Sequence, residues 1–232
     1  MKLALSSGIG LALAALALTL PAHATINQLT DPSQLTVGDG TFSFVGAGGT
    51  VASPVVVSNS GTVLTFTAAG GSFYEQTADG VSSDFAAGTP LLETSSGGSF
   101  ATPTGPLTIS FGPGVSEFGL RAQDFSADNE IFNFNVTGSQ SGVTSFTTGS
   151  VDNTSNQGMA AFIGASGTPG DLISQVTISS VSDQLGGSND FLVGNVTAPV
   201  PEPSTTAAMG LGILGLGALA FSARKRALKT TA

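Results

Sequence analysis

Three acidic side chains form the densest group of potential metal ligands in the chain. Asp124, Asp128 and Glu130 lie within seven residues of one another, between two apolar stretches that alternate like strands. Carboxylate oxygens on a loop are the ligands that Ca²⁺ prefers. No EF-hand loop surrounds them, so a solvated loop is the alternative interpretation. The pattern therefore predicts a calcium site at this loop and leaves the solvated loop open.

Most catalytic chemistry based on histidine or cysteine is excluded by composition. The chain has no Cys, and its one His, His23, lies in the N-terminal segment. Serine–histidine and cysteine–histidine nucleophiles and the usual zinc sites are therefore absent from the rest of the chain. A glycosidase needs two facing carboxylates, and nothing in the sequence isolates such a pair. We therefore expect a protein that is not an enzyme.

The charge of the central segment restricts its partners. Residues 25–200 carry fourteen Asp and Glu against one base, Arg121, a formal charge of −13. Such a surface repels phosphate backbones and attracts divalent cations. Binding to nucleic acid is therefore excluded.

The N-terminus has the three parts of a secretory signal peptide. Lys2 precedes an apolar run from Leu3 to Leu20, and the small residues Ala22 and Ala24 follow it. This order predicts cleavage before Thr25 and export of the segment behind it.

The C-terminus also has three parts in a fixed order. A rigid tripeptide comes first, an uncharged run of seventeen residues follows, and a basic cluster comes last. The run has the length of a short transmembrane helix, and the basic cluster predicts that its end stays on the cytoplasmic side. The three parts are Pro201-Glu202-Pro203, Ala207–Ala223 and Arg224-Lys225-Arg226.

This tripartite tail resembles the PEP-CTERM sorting signal of Gram-negative bacteria that make exopolysaccharide. The resemblance implies an exosortase as the processing partner, a membrane-embedded cysteine protease-like enzyme that recognises the Pro-Glu-Pro region. It also implies a transient stay in the inner membrane, followed by the cell surface or the extracellular matrix.

Between the two ends, short alternating runs predict an all-β domain. Leu64, Phe66 and Ala68 fall on one face of a strand, and the same alternation occurs in the runs 107–111, 118–122 and 132–136. We predict that the turn Gly112-Pro113-Gly114 separates the first two of those three runs. Many short strands without long helices indicate a β-sandwich, for which we predict a jelly-roll-like fold. The order from Leu91 to Thr197 also resembles jelly rolls of the lectin and carbohydrate-binding kind.

The predicted organisation is therefore a signal peptide over residues 1–24, a β-sandwich ectodomain over 25–199 and a sorting signal over 200–232. The predicted role is structural or adhesive, linked to exopolysaccharide or biofilm. One alternative is a carbohydrate-binding module assisted by Ca²⁺, and a second is a glycan-active enzyme. Polysaccharide is the expected ligand in the first alternative, and no cofactor other than Ca²⁺ is expected.

Overall fold

The computed structural model describes residues 24–36, 39–45, 48–79, 84–95, 105–124, 131–150, 160–181 and 191–200. Fourteen β-strands and one short 3-10 helix, Pro32–Gln34, lie in this part of the chain. The strands are β1 Ile26–Leu29, β2 Gly40–Phe42, β3 Gly49–Ala52, β4 Val55–Asn59, β5 Thr62–Ala68, β6 Ser72–Thr77, β7 Pro90–Glu93, β8 Leu107–Val115, β9 Glu117–Asp124, β10 Phe132–Gly138, β11 Gly142–Thr147, β12 Ala161–Gly167, β13 Ile173–Ser180 and β14 Phe191–Ala198.

The strands form two antiparallel sheets, as the all-β prediction requires. The eight-stranded sheet has the order β1-β12-β9-β14-β7-β6-β3, with β2 also paired to β14. The six-stranded sheet has the order β11-β10-β13-β8-β5-β4. The described residues contain no helix that is both long and apolar enough to cross a membrane.

The last eight strands have the order of a jelly roll. In one sheet β7 lies beside β14, β14 beside β9, and β9 beside β12; in the other β8, β13, β10 and β11 are neighbours in that order. The chain therefore passes repeatedly from one sheet to the other, and its final strand inserts between strands formed much earlier. Strands β1, β3, β4, β5 and β6 extend the two sheets at their edges, and β2 pairs with the end of β14. The predicted jelly-roll-like sandwich is confirmed.

The core lies between the two sheets and consists mainly of Phe, Ile, Leu and Val. The predicted inward faces are correct: in β5, β8, β9 and β10 the alternating apolar side chains are at most 5 % exposed. Alternation with period two places every second side chain on the same face, which makes these runs readable from sequence. The confirmed positions are Leu64, Phe66, Ala68, Leu107, Ile109, Phe111, Phe118, Leu120, Ala122, Phe132, Phe134 and Val136.

The predicted turn at Gly112-Pro113-Gly114 is wrong. These residues lie inside β8, which pairs with β5 at Gly112 and with β13 at Val115. An ideal Cβ on Gly114 would lie 3.0 Å from the Cβ of Leu172, and the register of β13 shifts between Ile173 and Gln175. The glycines therefore permit a bulge and a close approach of two backbones, a common role of Gly within a strand. The chain changes sheets after Val115, at Ser116.

Candidate functional site

The predicted calcium loop is only partly within the described residues. Asp124 ends β9 and is 4 % exposed, and its carboxylate accepts a hydrogen bond from the Ser180 hydroxyl of β13. This bond links the two sheets, since β9 and β13 belong to different ones. Asp128 and Glu130 lie outside the described residues. Among the described residues, no three His, Cys, Asp or Glu side chains are close enough together to hold a metal ion.

A cleft of about 260 Å³ opens at the edge of the sandwich, between β1, the start of β12 and the segment after β11. Strand β1 and the segment after β11 supply polar groups, and β12 supplies an aromatic ring. Its lining consists of Gln28, Thr30, Thr148, Gly149, Ser150, Ala161 and Phe162.

The Phe162 ring packs over two glycines. An ideal Cβ on Gly119 would lie 2.8 Å from the ring atoms Cε2 and Cζ, and one on Gly164 would lie 2.7 Å from Cε1. Gly119 and Gly164 are partners in the β9–β12 ladder, so they form one flat patch beneath the ring. Because neither residue has a side chain, the ring lies close to the backbone and stays partly exposed. Phe162 is therefore an aromatic residue held on the outer face of the sheet, and it is also among the residues that line the cleft.

The polar wall of the cleft is held by hydrogen bonds to nearby strands. The Gln28 amide donates to the Thr147 carbonyl at 3.0 Å, which joins β1 to the end of β11. The Thr148 hydroxyl accepts from the Phe132 backbone N–H at 2.9 Å. Polar side chains and one aromatic residue therefore line the same cleft, and such a mixed lining is typical of sites for small polar ligands.

Two buried acids lie on the same outer face, beneath a small apolar cluster. Glu93 is 0 % exposed; Ser95 donates to its Oε1 at 2.5 Å and Gln76 to its Oε2 at 3.1 Å. Burial raises the pKa of Glu93, and the hydrogen bond from Ser95 opposes that rise. The backbone N–H of Asp84 donates to Gln123 Oε1 at 2.8 Å, and burial raises the pKa of the Asp84 carboxyl. The Asp84 backbone thus joins the covering segment to β9, whereas Glu93 bonds to residues of β6 and to the end of β7.

A second pair of carboxyl groups lies near the start of β2. Asp39 precedes this strand, and its Oδ2 is buried without a hydrogen-bond partner in the described structure. Glu117, at the start of β9, is 8 % exposed and accepts from the Thr36 backbone N–H at 3.3 Å. Burial, and next the nearby Glu117 charge, raise the pKa of Asp39 to about 6. This group titrates well above an ordinary aspartate.

The predicted cleavage residues Ala24 and Thr25 lie at the start of the described chain, whereas Ala22 lies outside it. The Thr25 backbone N–H donates to the Thr168 hydroxyl at 3.0 Å, and the Thr168 N–H donates back to the Thr25 carbonyl at 3.0 Å. Strand β1 begins at the next residue, Ile26. A chain that starts at Thr25 therefore keeps the whole of β1, and cleavage there remains a prediction.

The other end of the described chain adjoins the tail. Strand β14 ends at Ala198, and the Thr62 hydroxyl donates to the Pro199 carbonyl at 3.2 Å. Val200 packs against the main core. The predicted sorting residues lie outside the described residues: Pro201, Glu202, Pro203, Arg224, Lys225 and Arg226.

Comparison with known families gives one match, to the PEP-CTERM protein-sorting motif over residues 199–226. This range includes the Pro-Glu-Pro tripeptide, the apolar run and the basic cluster. No curated protein and no solved structure matches the chain. The chain carries the PEP-CTERM motif, which marks an exported protein that an exosortase processes at the membrane before release to the cell surface.

Proposed function

We propose that the sandwich is a non-catalytic adhesive component of the extracellular matrix and that it binds exopolysaccharide through the Phe162 cleft. The observation that carries this proposal is the cleft that Phe162, Gln28 and Thr148 line together, with the Phe162 ring packed over Gly119 and Gly164. A sugar ring has an apolar face of C–H groups and an edge of hydroxyls. The aromatic surface suits the first, and the amide and hydroxyl suit the second.

The charge of residues 25–200 restricts the kind of polysaccharide that can bind. The formal charge of −13 over residues 25–200 repels uronate or sulfate groups, and only Arg121 offers a positive charge in that range. The Arg121 guanidinium is already engaged, since its Nη1 donates to the Ala160 carbonyl at 2.7 Å. The proposed ligand is therefore a neutral glycan chain.

The burial of Glu93 favours binding over catalysis. A carboxylate that acts on a glycosidic bond must touch the sugar, yet Glu93 is fully buried and both of its oxygens accept hydrogen bonds from the protein. Its raised pKa is accounted for by burial alone. The enzymatic alternative predicts new reducing ends when the released protein is incubated with native exopolysaccharide, and the proposal predicts none.

The test of the proposal compares two partly exposed aromatic residues on the same face of the eight-stranded sheet. Phe162→Ala should reduce co-sedimentation of the released protein with neutral exopolysaccharide several-fold, because it removes the aromatic surface. Tyr74→Ala is the matched control, since Tyr74 is also half-buried but lies on β6, away from the cleft. Equal retention of both variants would contradict the proposal.

The calcium-assisted module is the second candidate, and the buried Asp124 at the end of β9 is the observation that favours it. Calcium would neutralise the acidic surface and allow an anionic glycan to bind. This alternative predicts binding to acidic exopolysaccharide that a chelator abolishes. The Phe162 proposal predicts binding to a neutral glycan that the chelator leaves unchanged.

A further inference from the structure

The last residues of the fold are held from both sheets. Strand β14 lies in the interior of the eight-stranded sheet, and Ala198 pairs with Gly40 of β2. One residue later, the Pro199 carbonyl accepts a hydrogen bond from Thr62, which belongs to the six-stranded sheet and is 1 % exposed. The chain is therefore still part of the sandwich after its final strand has ended.

The Val200 side chain lies in the space that a side chain on residue 40 would fill, and this space is free because residue 40 is Gly. An ideal Cβ on Gly40 would lie 2.4 Å from Val200 Cγ1 and 2.9 Å from Asn59 Nδ2, too close for any side chain. The Asn59 amide also borders this space, and its Nδ2 donates a hydrogen bond to the Thr41 carbonyl at 3.2 Å. We call this arrangement of Gly40, Asn59 and Val200 the Val200 clamp.

The sorting signal begins where the clamp ends. The matched motif starts at residue 199, so its first two residues, Pro199 and Val200, belong to the folded domain. The next residue is Pro201, and six residues, 201–206, separate Val200 from the apolar run. Six extended residues span about 20 Å, so the clamp lies close to the membrane surface whenever the apolar run is in the bilayer.

We infer that the Val200 clamp keeps the exosortase from binding Pro199 and Val200, so that the chain is cut after Val200. A peptide that binds along an enzyme cleft as an extended strand presents its backbone groups to the enzyme. Val200, whose side chain packs against the core beside Gly40, cannot do so until it leaves this position. The clamp therefore slows conversion of the membrane form.

The chemical step uses only groups already named. Hydrolysis breaks one peptide bond with one water, leaving a carboxylate on the sandwich and an amino group on the membrane peptide. The inference depends on the sorting motif and is independent of polysaccharide binding.

The first measurement is the C-terminal residue of the full-length chain's released product, by mass spectrometry of its C-terminal peptide. The expected product retains Val200. A product that ends at or before Pro199 would overturn the inference, because the enzyme would then have reached into the clamp.

The second measurement is the rate of conversion of the membrane form in a pulse-chase experiment. Insertion of Gly-Ser-Gly-Ser between Val200 and Pro201 changes no residue of the fold, and it should speed conversion several-fold with the cut moving along with the Pro-Glu-Pro tripeptide. Gly40→Ala should also speed conversion, because the new Cβ displaces Val200. Val143→Ala is the control and should convert at the wild-type rate, since Val143 lies on the edge strand β11 of the six-stranded sheet and is 66 % exposed.

Resistance of the released ectodomain to added protease shows whether Gly40→Ala still folds. If it does not, the insertion variant decides the question by itself. Conversion of the insertion variant at the wild-type rate, or more slowly, would overturn the inference.

Discussion

Replacement of Asp39 by Asn should stabilise the sandwich at neutral pH. In the folded protein the Asp39 carboxyl is partly buried, its Oδ2 has no hydrogen-bond partner in the described structure, and Glu117 lies nearby. Each of these features penalises the charged form, and together they raise the pKa from 3.8 to about 6. Asn has nearly the same shape without the charge, so it removes the penalty.

The direction of the pH dependence follows from proton binding. Between about pH 4 and pH 6 the folded state holds a proton on Asp39 that the unfolded state has released, so stability falls as pH rises through this window. A shift of about two pKa units corresponds to about 3 kcal/mol at most. Since Asp39 keeps part of its contact with water, we expect Asn to stabilise by about 1–2 kcal/mol at pH 7.5 and by almost nothing at pH 4.

Thermal unfolding followed by circular dichroism measures this effect. For a domain of this size about 1–2 kcal/mol raises Tm by about 3–6 °C. Asp31→Asn is the control, because hydrogen bonds from Ser33 lower the pKa of that exposed carboxyl and any contribution from its charge is lost as pH falls. A Tm gain for Asp39→Asn that is equal at pH 4 and pH 7.5 would refute the electrostatic explanation.

Three further predictions concern the ends of the chain and calcium. The N-terminus of the exported protein should be Thr25, as read by N-terminal sequencing; retention of Met1 in the envelope fraction would contradict signal cleavage. Replacement of Pro201-Glu202-Pro203 by three Ala residues should trap full-length protein in the inner membrane, whereas an epitope placed after the basic cluster should be absent from the released wild-type protein. If Asp124 and its loop bind Ca²⁺, Tm should rise with the logarithm of free Ca²⁺ at constant ionic strength, and identical melting curves in chelator and in millimolar Ca²⁺ would leave the solvated loop as the explanation.

The strands that sequence predicted well are those with one face on the core. In β5 and β10 every second residue is buried and the residues between are at least partly exposed, because the outer faces of these strands lie open. The alternation of apolar and polar residues is then visible in the amino-acid sequence. The tail was equally readable, since its signal depends on the order of composition along the chain and needs no tertiary contact.

Other strands were missed because their apolar residues do not alternate. Three consecutive residues of β7 are buried, since Leu92 faces the main core while Leu91 and Glu93 are covered from outside. In the edge strand β11 burial does alternate between exposed and half-buried residues, but the apolar Val143 is 66 % exposed while Phe146 packs against the core. Neither sequence therefore has the apolar period that predicts a half-buried strand.

The cleft could not be derived from spacing because it depends on pairing between distant strands. In sequence Phe162 is one of fifteen Phe residues, and most of these are predicted core. The available signal was its phase, since Ala161 and Ile163 point inward and Phe162 therefore points outward. The register of β9 and β12 places Gly119 opposite Gly164, and this pair leaves room for the ring.

The jelly-roll order also relates folding to processing. Strand β14 lies between β9 and β7, so the eight-stranded sheet stays open until the last strand before the tail has paired. Val200 can then pack beside Gly40 only after β14 has paired with β2. Before that point Val200 has no partner at Gly40; afterwards its side chain is held there. A chain cut during the open stage would risk losing part of β14, whereas a cut after closure spares the fold. The membrane-held intermediate thus gives the sheet time to close, and the Val200 clamp protects the closed sandwich from the enzyme that releases it.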